Sequence, residues 1–421
     1  MLKFNNKKMA NISAFVFFAA VLAFPSGYSY GSLLFLLTAI FGFNVWRHGN
    51  FEKPTIILCL LLIAAGIFWS HSFENIFEMT KSDYWVKYGI AAVCVLAVAK
   101  IGIDFSWVAY GIAAGGLGSL GIAAYQYLVL GMNKASGHTN AIQYGDISMY
   151  LGVAAWSVAL LSKQKWPARL AFAVGGACAV LGSLLSETRG AWVVAPVLVL
   201  CLLVWMFQYG QAKLAGIAVV AMVLAVAVMV IPYGEKFTSR ANTAVVELQA
   251  YAANPVQAAE TSIGQRLEQW RLAWALWEQK PLLGWGTQGF TQGKQLRVDQ
   301  GLAHPSVMDY GHAHNEILDM LAKRGVLGLV MLLLLYGVPL AVFWPTRKRM
   351  AQVPLIVRDR LLSLRVAATL LPIAYFGFGW TQVFFAHNSG NMFYLFALVA
   401  FWGGVCQLEG KTVLASSSRA V

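Results

Sequence analysis

Charge is scarce in this chain. Only 12% of its 421 residues are charged and 59% are hydrophobic; a soluble domain carries about 25% charged residues. That scarcity excludes an ordinary water-soluble enzyme. Paired cysteines are also missing. Cys59, Cys94, Cys178, Cys201 and Cys406 all lie in apolar runs and none forms a CxxC pair. A disulfide framework and a cysteine metal site are thereby excluded, and the five act as small hydrophobes. No internal repeat is visible, and no cluster of ionisable residues falls at the middle of an apolar run. The short alternating segments of a membrane β-barrel, ~10 residues each, are absent too.

What the chain has instead is long apolar runs. Twelve stand out, at about 10–25, 30–46, 55–70, 85–103, 106–130, 142–162, 168–186, 190–208, 214–232, 316–344, 363–384 and 389–407. A helix needs ~20 apolar residues to cross a hydrocarbon core. The pattern predicts an all-α polytopic membrane protein with about 12 transmembrane helices, forming a single domain over residues 1–421. The start "MLKFNNKK" is basic, no clear small-residue cleavage site follows, and a second run comes at once. The first run therefore reads as a retained helix.

The formal charge of +13 raises the question of a nucleic-acid partner. With the N-terminus inside, the even-numbered connections and both tails hold 18 of the 31 basic residues and only four of the 18 acidic ones. The opposite side holds 13 basic and 14 acidic residues. The positive-inside rule accounts for this asymmetry, so no nucleic acid is called for. Both termini are expected in the cytoplasm.

One connection is unlike the rest. Residues 233–315 contain no spanning run, and long loops of this kind are commonly functional. They form a large loop on the non-cytoplasmic side. Within it, "TSIGQRLEQWRLAWALWEQKPLLGWGTQGF" predicts a helix followed by a turn. Ser262 and Gln265 have capping-box spacing. Trp270, Trp274 and Trp277 share one helical face, with Arg266 a turn earlier, and would meet the membrane interface. Pro281 closes the helix, and Gly284-Trp285-Gly286 makes the turn.

The polar chemistry gathers at the end of this loop, in "GHAHNEILDMLAKRG". His312 and His314 are two residues apart, which is not the i, i+4 spacing of helical zinc ligands. His314 reads either as an interfacial histidine bonded to a carbonyl or as a general base. Glu316 and Asp319 read as a solvated or positioning pair. Lys323-Arg324-Gly325 resembles a helix end although the apolar run continues, so a short perpendicular or kinked entry helix is expected there. Arg189, in "SETRGAW", sits in a very short connection near hydrocarbon. It is either a snorkelling residue paired with Glu187 or an anion ligand. Arg266 is either paired with Glu268 or lipid phosphate, or is a second anion ligand. Two arginines can hold a diphosphate bidentately, and a histidine can take a proton from a hydroxyl. Together they suit glycosyl transfer from a polyprenyl diphosphate at a membrane surface.

These segments resemble the signature of the O-antigen ligase and polymerase superfamily. The similarity lies in an arginine-bearing helix, "P-x-x-G-x-G" at Pro281, Gly284 and Gly286, "H-x-H-N" at His312, His314 and Asn315, and "G-x-x-G-L" at Gly325, Gly328 and Leu329. "SETRGAW" is similar to that family's other arginine-bearing loop. The resemblance covers roughly residues 183–330. It implies a GT-C-like, metal-independent and inverting membrane glycosyltransferase of the bacterial inner membrane, with no cofactor. Such a ligase moves a glycan from undecaprenyl diphosphate to a sugar hydroxyl of lipid A–core at the periplasmic face, in lipopolysaccharide biosynthesis. His314 matches the catalytic histidine, and Arg189 and Arg266 the diphosphate-binding arginines. The lack of a DxD carboxylate cluster agrees with metal independence. Asn315, Gln143, Asp146, Lys81 and His387, with His312, are secondary candidates, and Lys87 flanks the fourth run beside Lys81. The expected partners are the lipid-linked glycan, lipid A–core and membrane lipids. An O-antigen polymerase and a protein O-oligosaccharyltransferase share the donor chemistry. A lipid-linked glycan flippase is the rival from another class.

Overall fold

The computed structural model describes residues 5–72, 75–79 and 82–417. Helices α1 (Asn6–Ala20) and α2 (Gly27–Phe41) form a first hairpin, and the short α3 (Phe43–Trp46) leads to α4 (Lys53–Ser70). Strands β1 (His71–Ser72) and β2 (Asn75–Met79) pair antiparallel before α5 (Ser82–Ile101). There follow α6 (Phe105–Ala124) with a π-helical last turn, α7 (Ala141–Leu161), α8 (Trp166–Leu185), α9 (Arg189–Gln208) and α10 (Ala212–Ala253). Next come α11 (Pro255–Ala258), α12 (Ser262–Trp277), α13 (Gly286–Asp299) and a 3-10 turn, Pro305–Asp309. The chain ends with α14 (Glu316–Phe343), α15 (Arg347–Ala351), α16 (Leu355–Phe378), a 3-10 turn at Phe384–Ala386 and α17 (Asn388–Ser417).

Each of the twelve apolar runs has its helix. Among the described residues, nine are long and apolar enough to cross a membrane, and the chain is an all-α, multi-pass membrane protein. The other three runs correspond to the 15-residue α1 and α2 and to α10. The boundary at residue 232 marks only where hydropathy falls. Helix α10 continues to Ala253, because "NTAVVELQAYAA" keeps good helix formers after the apolar stretch ends.

Helices α7, α16 and α17 are buried along most of their length, while their neighbours bury one face and leave the other outward. In hydrocarbon a polar group must find its partner inside the protein. The core tyrosines do so by donating to main-chain carbonyls: Tyr150 to Ala367, Tyr375 to Gly390 and Tyr394 to Leu335, at 2.6–2.9 Å. These bonds tie the three central helices and α14 at fixed levels.

The kink expected at Gly325 is present. That residue has φ 62° and ψ −159° and divides α14 into a short first segment and a long apolar one. The freed backbone groups are taken up by the turn after α12. Val326 donates to the carbonyl of Pro281 at 2.8 Å, and Trp285 donates to that of Ala322 at 2.9 Å. Gly284, at φ +67°, lies against the amides of Arg324 and Gly325. The two glycine motifs are thus the two halves of one clamp between the loop and α14. A Cβ on Gly325 would lie 2.2 Å from the carbonyl of Leu282, in a backbone region that L-residues avoid. Gly325→Ala is expected to cost more than about 1–3 kcal/mol. The check is a lower thermal midpoint in detergent than the parent protein shows.

Candidate active site

The site is assembled at one end of the bundle from four pieces of chain. These are the first turn of α9, helix α12, residues 310–315 before α14, and the connection between α16 and α17. Each is pinned by contacts that individually have a clear physical purpose.

Helix α12 starts one residue earlier than the capping-box spacing suggests. Thr261, not Ser262, is its N-cap, and its hydroxyl accepts from the amide of Gly264 at 3.0 Å. Arg266 follows in the second turn and is half-buried. Its suggested partner Glu268 is already engaged. Glu268 binds Arg271 through two bonds of 2.8 and 2.5 Å, and Tyr251 at 3.0 Å. Glu187 likewise pairs with Lys134 at 3.9 Å rather than with Arg189. Arg189 is the first residue of α9 and is exposed. Among the described residues, neither Arg189 nor Arg266 makes an ion pair. Burial, and next the like charge of Arg189, hold the Arg266 guanidinium below its ordinary range. Two uncompensated cations in mutual electrostatic reach are costly unless an anion sits between them.

The histidine segment is held from both sides. Lys294 of α13 is fully buried and donates to the carbonyls of Val307, at 2.7 Å, and Tyr310. Gln269 of α12 donates to the same Val307 carbonyl at 2.7 Å. Asp319 accepts from the amide of Ala313 at 2.9 Å and pairs with Lys323, which donates to the carbonyl of Gly311 at 2.8 Å. Asn315 caps α14 by accepting from the amide of Leu318 at 3.1 Å. These anchors hold His314 at φ +52°, a left-handed conformation that L-residues other than glycine adopt at a cost of ~1–3 kcal/mol. Its ring stands edge-on to Tyr310 at 4.4 Å and to His312 at 4.5 Å. His387 lies 5.6 Å from His312.

The surroundings keep both histidines neutral. Burial, then the charge of Arg266, bring the His314 pKa down to about 4, against a smaller upward pull from Asp319 and a hydrogen bond with Gln382. Burial brings His312 down to about 3. The Nδ1 atom of His314 is buried without a hydrogen-bond partner among the described residues. A neutral imidazole with an open nitrogen is a proton acceptor in waiting.

Glu316 and Asp319 correct the reading of a solvated face. They are 1% and 2% exposed. Glu316 accepts from the amides of Phe384, at 2.5 Å, and Phe385, at 3.2 Å. It therefore fixes the 3-10 turn that carries His387 toward His312. Glu316→Ala is expected to lower stability by about 1–3 kcal/mol for each amide left without its acceptor. Glu316→Gln, which keeps one acceptor oxygen, should cost less; thermal midpoints of the two variants check this.

Of the other sequence candidates, Gln143 and Asp146 are fully buried in α7. Asp146 lies behind Gly190 of the first turn of α9, so it supports the Arg189 turn from beneath and is not at the site surface. Lys87 is engaged with Asp83 and Asn388, both at 2.6 Å. Lys81 lies outside the described residues. Tyr310, Lys294 and Gln382 were not singled out by sequence. Only the proximity of Tyr310 to the histidines along the chain could have signalled it.

Comparison with known proteins places part of the chain beside a described family. Residues 174–333 match the family described as O-antigen ligase. A curated O-antigen ligase of Escherichia coli K12 is 24% identical over 193 residues, covering 45% of this chain and 44% of that one. An uncharacterized protein of Haemophilus influenzae is 23% identical over 399 residues, covering 93% of this chain and 97% of the other. The matched interval runs from α8 through the first segments of α14 and so contains both arginines and both glycine motifs as well as His314. Over residues 174–333 the chain is thus similar to the O-antigen ligase family.

Proposed function

We propose that this protein is an O-antigen ligase that transfers a glycan from undecaprenyl diphosphate to a sugar hydroxyl of lipid A–core. In this reading the whole chain is one catalytic domain, and residues 233–315 form a loop at the periplasmic face of the bacterial inner membrane. The supporting observation is the pairing of two arginines that have no acidic partner among the described residues with a buried neutral histidine at one end of the bundle. The family match over residues 174–333 supports a role in O-antigen biosynthesis; the residue roles come from the chemistry of the groups.

The acceptor hydroxyl oxygen attacks C1 of the donor's first sugar. The bond from C1 to the diphosphate oxygen breaks, and its electron pair leaves on the diphosphate. His314 takes the hydroxyl proton. Arg189 and Arg266 neutralise the charge that grows on the leaving group, which is where fixed donors act most strongly. Direct attack inverts the anomeric carbon. The scheme gives no step to a metal ion or cofactor, since the arginines supply the positive charge.

Donor binding would also tune the base. A diphosphate beside Arg266 offsets the charge that, after burial, depresses His314. The base should then become stronger when the donor is bound. Activity should fall as pH drops and His314 is protonated. The acid limb of kcat/KM, which reports the free protein, is expected near a pKa of about 4. The limb of kcat should lie higher. Steady-state kinetics from pH 3.5 upward check both, and coincident limbs near 6.5 would contradict this picture.

The decisive experiment is transfer by purified protein given lipid-linked glycan and lipid A–core. Product on lipid A–core supports the ligase. Lengthened lipid-linked glycan without transfer indicates a polymerase. Movement of the donor between leaflets without either product indicates a flippase.

A further inference from the structure

Beyond His312 the site continues into a cavity of about 210 Å³. Its walls come from separate parts of the chain: Trp69, Tyr84, Thr287, His312, Lys323 and Arg324. A cavity of roughly 150 Å³ holds a benzene ring, so this one has room for a single pyranose and not for an extended glycan.

The lining has two characters. One is aromatic: the Trp69 ring lies 5.4 Å from that of Phe385, and the Tyr84 hydroxyl is fixed to the Phe385 carbonyl at 2.9 Å. The other is charged: Asp319 lines the cavity paired with Lys323 at 2.8 Å, while Arg324 donates from Nη2 to the Trp69 carbonyl at 2.9 Å and its buried Nε has no partner among the described residues. Lys323 is held by Asp319 and the Gly311 carbonyl. Apolar C–H faces of a sugar suit the aromatic side, and hydroxyl oxygens suit the fixed N–H donors.

Position adds to chemistry. The Arg189 charge acts on Arg266 and the Arg266 charge on His314, while the His314 ring stands 4.5 Å from that of His312, which lines the cavity. In a displacement at carbon, the attacking oxygen approaches opposite the leaving group. The arginines mark the leaving-group side, so the nucleophile belongs beyond the histidines. We infer that this cavity is the acceptor subsite, receiving one terminal pyranose of a saccharide and directing a hydroxyl past His312 to His314. The inference rests on His314 being the base.

The test fills or opens the cavity in the full-length protein. Thr287 and Ala386 both line the cavity; Thr287→Phe and Ala386→Phe place a ring in it, and Thr287→Ala removes a hydroxyl without any clash. The probes are lipid A–core as acceptor and undecaprenyl-diphosphate glycan as donor, each varied in turn. Filling is expected to raise the acceptor KM by about tenfold or more and to leave the donor KM unchanged. An unchanged acceptor KM overturns the inference while leaving the ligase reading intact. A raised donor KM alone assigns the cavity to the donor and also overturns it. If the filled variants are inactive altogether, Thr287→Ala decides: a changed acceptor KM with a constant donor KM supports the subsite, and no change in either removes it. A parent protein inactive in the same assay refutes the ligase reading itself.

Discussion

Replacing His314 by asparagine is expected to leave a folded protein whose transfer rate has fallen by about 10²–10⁴-fold, the usual worth of a positioned general base. Asparagine is the informative choice because of the backbone. His314 sits at φ +52°, and asparagine is among the few L-residues that visit the left-handed region readily. An alanine there would mix backbone strain with lost chemistry. The asparagine amide cannot accept and release a proton near neutral pH, so the chemical loss is isolated. Donor binding should survive, because the arginines are untouched. The measurement is single-turnover transfer at saturating donor, with the thermal midpoint as a control. Retention of more than a tenth of the parent rate in a folded variant would mean that another group removes the proton. Tyr310 and His312, whose rings are 4.4 and 4.5 Å from that of His314, would be next in line.

Hydropathy made the membrane helices legible, since burial in lipid demands long apolar runs of a fixed minimum length. The same signal misplaced the end of α10, which continues as helix where the apolar residues stop. The two glycine motifs announced turns but not their mutual purpose. That Gly284 rests on Gly325 depends on two segments some forty residues apart meeting in space. Glu316 shows the limit more sharply. Its partners are the amides of Phe384 and Phe385, and backbone donors carry no sequence mark. A carboxylate at the start of a helix looks solvated until the structure shows what lies against it. Lys294 was silent for the same reason, because it binds carbonyls. Arg189, Arg266 and His314 could be read because cations near hydrocarbon and a histidine at a helix start are unusual in themselves. Their convergence, with the two arginines and the histidine in electrostatic reach of one another, is what the fold adds.

The arginine pair carries the second large effect. Arg266→Gln is expected to lower kcat by about 10²–10³-fold, the range seen when one charge-stabilising donor is removed from a transition state. Arg189→Gln should cost less, because Arg189 is exposed and water screens its charge. Lysine at position 266 keeps the charge but not the planar pair of donors, so it should recover only part of the rate. The glutamine variant also makes a second, independent prediction. Burial is the larger cause of the depressed His314 pKa, and the Arg266 charge comes next. Removing that charge should raise the acid limb of kcat/KM above its parent value near 4, but not as far as 6.5. If both arginines bind one diphosphate, the double variant should lose less than the product of the single losses. Fully multiplicative losses would show that the two act on separate groups. An unmoved acid limb in Arg266→Gln would show that the kinetic group is not the histidine beside it.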